Sequence, residues 1–183
     1  MEEKIKKRRL VLPIFIIIIM SFSILGFSFF WTTPGGKIVK YKENKFNLVN
    51  NLWVTYVNDK ALTIKNDPSL LNEINLDRFN LKPFGKIYLS RDPNVNLNYE
   101  LSGLNNLESF SNILLVDSCF EELEGCENLP LKKCGDAVNG IGVIEISLEN
   151  ENSVKRDKDC LKIHGNSDFI SKVIDKILLD TVL

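Results

Sequence analysis

The sequence predicts an α+β fold, in which one N-terminal transmembrane helix precedes a single domain with a mixed β-sheet and packed helices. Three observations predict it. Residues 10–31 form one uncharged apolar run, while the rest of the chain has an ordinary composition. Runs of β-branched and aromatic residues alternate with helical patterns, and all four cysteines follow residue 118. The alternative is a three-layer α/β fold, in which the helix after a strand at 86–89 crosses to a strand at 141–148.

The apolar run at residues 10–31 is long enough to cross a bilayer, because a helix of this length spans about 33 Å. Residues 1–9 contain five lysines and arginines against two glutamates, so the positive-inside rule places them in the cytoplasm. Residues 32–48 then form a juxtamembrane segment, and residues 49–183 form an extracytoplasmic α+β domain. The predicted location is the cell membrane, with a single-pass signal-anchor. A cleaved signal peptide remains the alternative, although its apolar region is usually shorter.

Four cysteines in an extracytoplasmic domain predict structural disulfide bonds. Four cysteines allow three pairings, and we favour Cys119 with Cys126 and Cys134 with Cys160. Free buried thiols and metal or redox chemistry are the alternatives. The intervals between the cysteines do not match the close pairs of zinc sites, and there is no Cys-x-x-Cys motif.

The first half of the domain has mainly strand patterns. Two runs rich in β-branched and aromatic residues, 52–57 and 61–65, predict a β-hairpin. Asp67 followed by Pro68 predicts the start of a short helix that ends near residue 74. A strand is predicted at residues 84–90, a type I turn at 92–95, and a half-exposed strand at 95–101, where apolar and polar residues alternate.

The second half has the strongest helical pattern, at residues 105–123. Apolar residues recur there at steps of three and four and form one stripe, and Gly125 follows as a helix stop. The remaining predicted elements are a central strand at 141–148, a charged loop at 149–159, a strand at 160–163 and a final helix at 168–182 capped by Asn166 or Ser167.

The only histidine, His164, is the strongest single candidate for chemistry. It stands where a strand is expected to end and a helix to begin, and ligands often bind at such places. As a base it would pair with Asp168 or Asp117, whereas a structural hydrogen bond is the simpler interpretation. Ser118 beside Asp117 carries no nucleophile motif. An acidic cluster is expected to be a solvated surface. Its members are Glu121, Glu122, Glu124 and Glu127.

The sequence therefore contains no recognisable catalytic constellation, and we expect neither a cofactor nor a metal. The leading hypothesis is a membrane-anchored, disulfide-stabilised binding or assembly module. One alternative is a surface-anchored hydrolase or metal-dependent enzyme that uses His164, and another is a small subunit of a larger membrane complex. The expected partners are the bilayer, through residues 10–31, and a cell-surface or membrane-complex protein. Nucleic acid is disfavoured because residues 10–183 carry 18 basic and 22 acidic side chains. Four lysines near the anchor can contact acidic lipid headgroups or be ordinary solvated side chains: Lys37, Lys40, Lys42 and Lys45.

Overall fold

A computed structural model of the chain describes residues 19–20, 37–77 and 79–183, without the side chain of Glu108. The chain divides into two compact units, Met1–Lys37 and Ile38–Leu183. The predicted membrane segment lies outside the described residues, except for Ile19 and Met20. None of the helices within the described ranges is long and apolar enough to span a membrane.

The second unit begins with a four-stranded antiparallel sheet in which each strand pairs with the next: β1 (Ile38–Tyr41), β2 (Asn44–Val49), β3 (Leu52–Val57) and β4 (Lys60–Ile64). The two-residue turns Asn50–Asn51 and Asn58–Asp59 have positive φ angles, the backbone that tight hairpins require. The predicted hairpin is confirmed as β3 and β4. Residues 38–48 belong to the segment that we predicted to be juxtamembrane, and they contain β1 and most of β2.

Five strands form a second, mixed sheet in the order β6-β5-β7-β9-β8: β5 (Lys86–Arg91), β6 (Leu114–Ser118), β7 (Ile141–Leu148), β8 (Ser153–Asp157) and β9 (Cys160–Gly165). Neighbours are parallel except at the edge, where β8 runs antiparallel to β9. A mixed sheet with packed helices is thus confirmed. The helical segment after β5 leads to β6 and not to β7, so the crossover of the α/β alternative is wrong.

The helices are short except for the last. A 3₁₀ turn (Leu70–Glu73) follows β4, and three consecutive turns join β5 to β6: α1 (Asn98–Leu101), a 3₁₀ turn (Ser102–Asn106) and α2 (Leu107–Phe110). The final helix is α3 (Ser167–Val182), and the side chain of Asn166 caps it by accepting a hydrogen bond from the backbone N–H of Phe169 at 2.9 Å. The final helix and its Asn166 cap are therefore confirmed.

Three predicted elements are wrong. The predicted strand at residues 95–101 ends in α1, and the predicted helix at residues 105–123 stops at Phe110, so that residues 114–118 form β6. The predicted loop at residues 149–159 contains β8. Parallel hydrogen bonds from β5 pair Lys86 with Leu114 and the residues that follow, and this non-local pairing outweighs a local helical pattern.

The main core lies on one face of the second sheet. Ile87, Ile144 and Ile163 point to this face and pack with α3 and with inward residues of the first sheet such as Phe46 and Trp53. The opposite face has a smaller cluster of Ala137, Val143 and Cys160 under the segment that joins β6 to β7. The two faces therefore differ strongly in how much apolar surface they bury.

Candidate functional site at the carboxyl edge of the second sheet

The parallel strands of the second sheet end at one edge, which carries most of the polar candidates. The chain passes from β5 to β6 on one side and then to β7 on the other side of β5. In open sheets of this kind, ligands bind outside the carboxyl ends of the strands where the strand order reverses. Arg91, Asp117, Ser147 and His164 all stand at or near these strand ends.

A cavity of about 440 Å³ at this edge lies between the ends of β5 and β6 and the helical turns that connect them. Arg91 and Asp117 line it from the sheet. The turns contribute three uncharged polar side chains, and apolar residues form the rest of the wall: Asn98, Ser102, Asn105, Leu89, Leu101, Leu104, Leu115 and Val116. The cavity therefore combines one cation and one anion with an apolar wall.

Arg91 has few hydrogen bonds for a largely buried guanidinium. Its side chain is 16% exposed, and Nη1 donates a long hydrogen bond of 3.4 Å to the carbonyl oxygen of Val95. The Nε atom lies 3.8 Å from Oδ1 of Asp117, and it has no hydrogen-bond partner within the described part of the chain. Asp117 is 58% exposed. This ion pair is loose and leaves most of the five guanidinium donors available.

A smaller cleft of about 170 Å³ lies between the ends of β5 and β7, where the strand order reverses. Asp92, which follows β5, and Ser147 of β7 line it, and Phe120 also borders it. Ser147 stands opposite His164 in the β7–β9 register, and its side chain connects this cleft to the histidine.

His164 has an acidic neighbour, but neither of the expected ones. Its Nδ1 atom lies 2.7 Å from Oε1 of Glu149 and 2.6 Å from Oγ of Ser147, and the Ser147 hydroxyl donates to the same Glu149 oxygen at 2.9 Å. The hydrogen bond from His164 is the main reason that the pKa of Glu149 lies below its ordinary value. Asp168 instead pairs with Lys172 at 2.6 Å, and Asp117 pairs with Arg91.

The His164 cluster does not have the order of a nucleophile, base and acid relay. Such a relay uses one ring nitrogen for the hydroxyl and the other for the carboxylate. Here Ser147 and Glu149 share Nδ1. Glu149 follows β7 directly, and the parallel pairing of Ser147 with His164 brings it close, so only the strand register would have shown this partner.

The four cysteines form the favoured pairs, Cys119–Cys126 and Cys134–Cys160. The first bridge closes the loop after β6, and the second joins the segment before β7 to the start of β9. Glu145 brings a third possible metal ligand within 4.8 Å of the Cys134 and Cys160 sulfur atoms, but these sulfur atoms are bonded to each other.

The other sequence candidates are separated by the fold. Ser118 is buried and Asp117 is largely exposed, because successive strand residues point to opposite faces. In the acidic cluster, Glu127 accepts a hydrogen bond at 3.2 Å from the backbone N–H of Gly125, and bonds with backbone N–H groups hold its pKa below the ordinary value.

The fold and the site together define a disulfide-bonded α+β domain with a polar cavity at the carboxyl edge of a mixed sheet. No protein-family model, curated protein or solved structure matches the chain.

Proposed function

We propose that this protein is a single-pass membrane protein whose C-terminal domain lies outside the cytoplasm and acts as a binding or assembly module. The two disulfide bonds are the observation that supports it most directly, because disulfides persist mainly in oxidising compartments. The apolar run at residues 10–31 supplies the anchor, and the basic residues 1–9 orient it.

A binding function accounts for the open cavity at the end of β5 and β6, where Arg91 keeps unused donors. The alternative of a hydrolase on His164 gains one contact, with Glu149, but the shared Nδ1 gives no path for a proton from Ser147 to the carboxylate through the ring. We therefore propose binding rather than hydrolysis. The partners are the bilayer, through residues 10–31, and a protein of the cell surface or of a membrane complex.

Topology can be tested with variants that carry one added cysteine and with a membrane-impermeant maleimide on intact cells. Lys82 is exposed in the domain, and Lys4 lies in the basic N-terminal segment. We expect the Lys82→Cys variant to be labelled on intact cells and the Lys4→Cys variant only after lysis. The reversed pattern would refute the orientation, and labelling of neither reporter on intact cells would refute an extracytoplasmic domain.

The disulfides are tested on the unmodified chain in the same membranes. Alkylation under denaturing conditions before reduction is expected to modify none of the four cysteines, and after reduction all four. Alkylation of all four before reduction would remove the main support for the proposal. The two tests are independent, because the first reports the side of the membrane and the second the redox state.

A further inference from the structure

The guanidinium of Arg91 is the first reason to assign a ligand to the larger cavity. Its Nε donor is buried and has no hydrogen-bond partner within the described residues, so this group is incompletely satisfied there. The exposed remainder of the side chain lines the cavity. A guanidinium offers paired donors in a planar fork, which matches the two oxygens of a carboxylate.

Asp117 restricts the charge of that ligand. Its carboxylate lines the same cavity and stands 3.8 Å from Nε of Arg91, too far for a hydrogen bond. It would repel a multiply charged anion such as phosphate, but it can accept hydrogen bonds from an ammonium group. A ligand with one carboxylate and one nearby ammonium would therefore satisfy both side chains.

The other residues that line the cavity restrict the size and polarity of the ligand. A volume of about 440 Å³ falls in the range of small-molecule sites. Leu89, Leu101 and Leu115 offer an apolar surface beside the two charges, while Asn98 and Asn105 provide further hydrogen-bonding groups. This combination suits an aliphatic side chain attached to a zwitterionic head.

We propose that the cavity between the ends of β5 and β6 binds a free α-amino acid with an aliphatic side chain. Arg91 holds the carboxylate, Asp117 holds the ammonium group, and the leucine wall contacts the side chain. The assignment rests on the proposed binding function and gives it a ligand class.

The test is calorimetric titration of the full-length protein in detergent micelles with four matched probes. L-Leucine carries both charges, 4-methylpentanoate lacks the ammonium group, 3-methylbutylamine lacks the carboxylate, and inorganic phosphate is the multiply charged anion. We expect L-leucine to bind at least about tenfold more tightly than each of the other three. Tighter binding of phosphate would replace the zwitterion site with an anion site, and absence of L-leucine binding would overturn the proposal.

Variants separate the two charges. Asp117→Asn is expected to lower the affinity for L-leucine about tenfold without lowering the affinity for 4-methylpentanoate, because only the ammonium contact is lost. Arg91→Lys is expected to lower the affinity for both probes. Arg156→Lys is the matched control, since Arg156 bonds to the carbonyl oxygens of Asp77 and Lys158 away from the cavity. Equal L-leucine affinity in the wild type and in Asp117→Asn, whose side chain is mostly exposed, would contradict the assignment.

The result of the L-leucine titration is independent of the tests of the proposed function. Labelling of Lys82→Cys reports the location of the domain, and cysteine alkylation reports its disulfide bonds, whichever ligand the domain binds. If both tests give the expected result and L-leucine does not bind, only the proposed ligand class is refuted.

Discussion

Asp175 shows how a single buried charge positions the final helix against the first sheet. Its side chain is 1% exposed, and its Oδ2 atom accepts hydrogen bonds from the backbone N–H groups of Lys65 and Asn66 and from the Asn66 side chain, at 3.0, 2.8 and 2.8 Å. Burial raises the pKa of Asp175 above 3.8, and these hydrogen bonds oppose the rise only in part. The carboxyl group therefore connects α3 to the chain that leaves β4.

Replacing Asp175 should destabilise the domain in a way that depends on the replacement. Asp175→Ala leaves three donors without their acceptor, and we expect the free energy of unfolding to fall by about 3 kcal/mol. Asp175→Asn keeps one acceptor oxygen and should cost less. Urea denaturation measures both, with Asp168→Asn as the control, because Asp168 lies on the same helix with its side chain 71% exposed.

The pH dependence of the Asp175→Asn comparison follows from the direction of the pKa. A carboxyl group whose pKa is raised in the folded state contributes stability that is fully present below its unfolded pKa and is lost as the pH rises through the folded pKa. The stability advantage of the wild type over Asp175→Asn should therefore be largest near or below the unfolded pKa of about 4 and shrink as the pH rises above it. An advantage that grows with pH would contradict the raised pKa.

Two exposed lysines, Lys40 and Lys45, stand opposite each other on the first sheet without an evident role in the stability of the fold. Lys40 on β1 stands directly opposite Lys45 on β2, both are exposed, and like charges in this position repel. Ile38 and Tyr56 are also exposed, at 63% and 70%. Exposed lysines of this kind attract an anionic lipid surface.

We expect Lys40 and Lys45 to increase the affinity of the domain for acidic lipids. A lysine near an anionic surface contributes about 1 kcal/mol to binding. The double variant Lys40→Gln/Lys45→Gln should therefore bind phosphatidylglycerol vesicles about thirtyfold more weakly. Vesicle co-sedimentation of residues 37–183 measures this, with phosphatidylcholine vesicles as the lipid control. The variant Lys155→Gln/Lys162→Gln is the matched control, because these lysines oppose each other on β8 and β9. Equal loss in both variants would show a dependence on net charge alone.

The elements that the sequence predicted correctly have local causes. The β3–β4 hairpin has strongly patterned strands and an Asn-Asp turn with positive φ angles, and α3 has an apolar stripe and an Asn cap. The residue before that cap, Gly165, has φ of +156°, and a Cβ there would meet Asn152 and Phe169 at 2.6 Å. Turn chemistry of this kind is visible in a short window of sequence.

The elements that the sequence missed depend on distant partners. β6 exists because it pairs with β5, and β8 is a charged edge strand that pairs with β9 in the sheet that the described residues form. Exposed lysine and arginine are typical of such edges and resemble a loop in sequence. The same limit applies to the site, because Arg91 meets Asp117 and His164 meets Glu149 only after the parallel strands are in register.

In the domain as a whole, the two faces of the second sheet are stabilised differently, one by a packed helix and the other with the help of disulfide bonds. One face of the second sheet packs against α3, whereas the other is covered by residues 119–140, whose helical content is a 3₁₀ turn at Cys134–Asp136. The buried cluster under this segment is small, with Ala137, Val143 and Cys160 at its centre. The Cys134–Cys160 disulfide links this segment covalently to β9. On this face the covalent bond therefore contributes stability that apolar packing supplies on the other face.

This arrangement predicts an order of stability for two double variants of residues 37–183. The bridges join cysteines 7 and 26 positions apart, and the loop-entropy model gives the longer loop about 1 kcal/mol more stabilisation. We expect Cys119→Ala/Cys126→Ala to lower the free energy of unfolding by about 2 kcal/mol and Cys134→Ala/Cys160→Ala by about 3–4 kcal/mol. Because the second variant also releases the covering segment, its β9 amides should exchange faster with deuterium, while those of β3 stay protected. Urea denaturation and hydrogen exchange test both statements, and equal or reversed losses would show that apolar packing holds this face without the bridge.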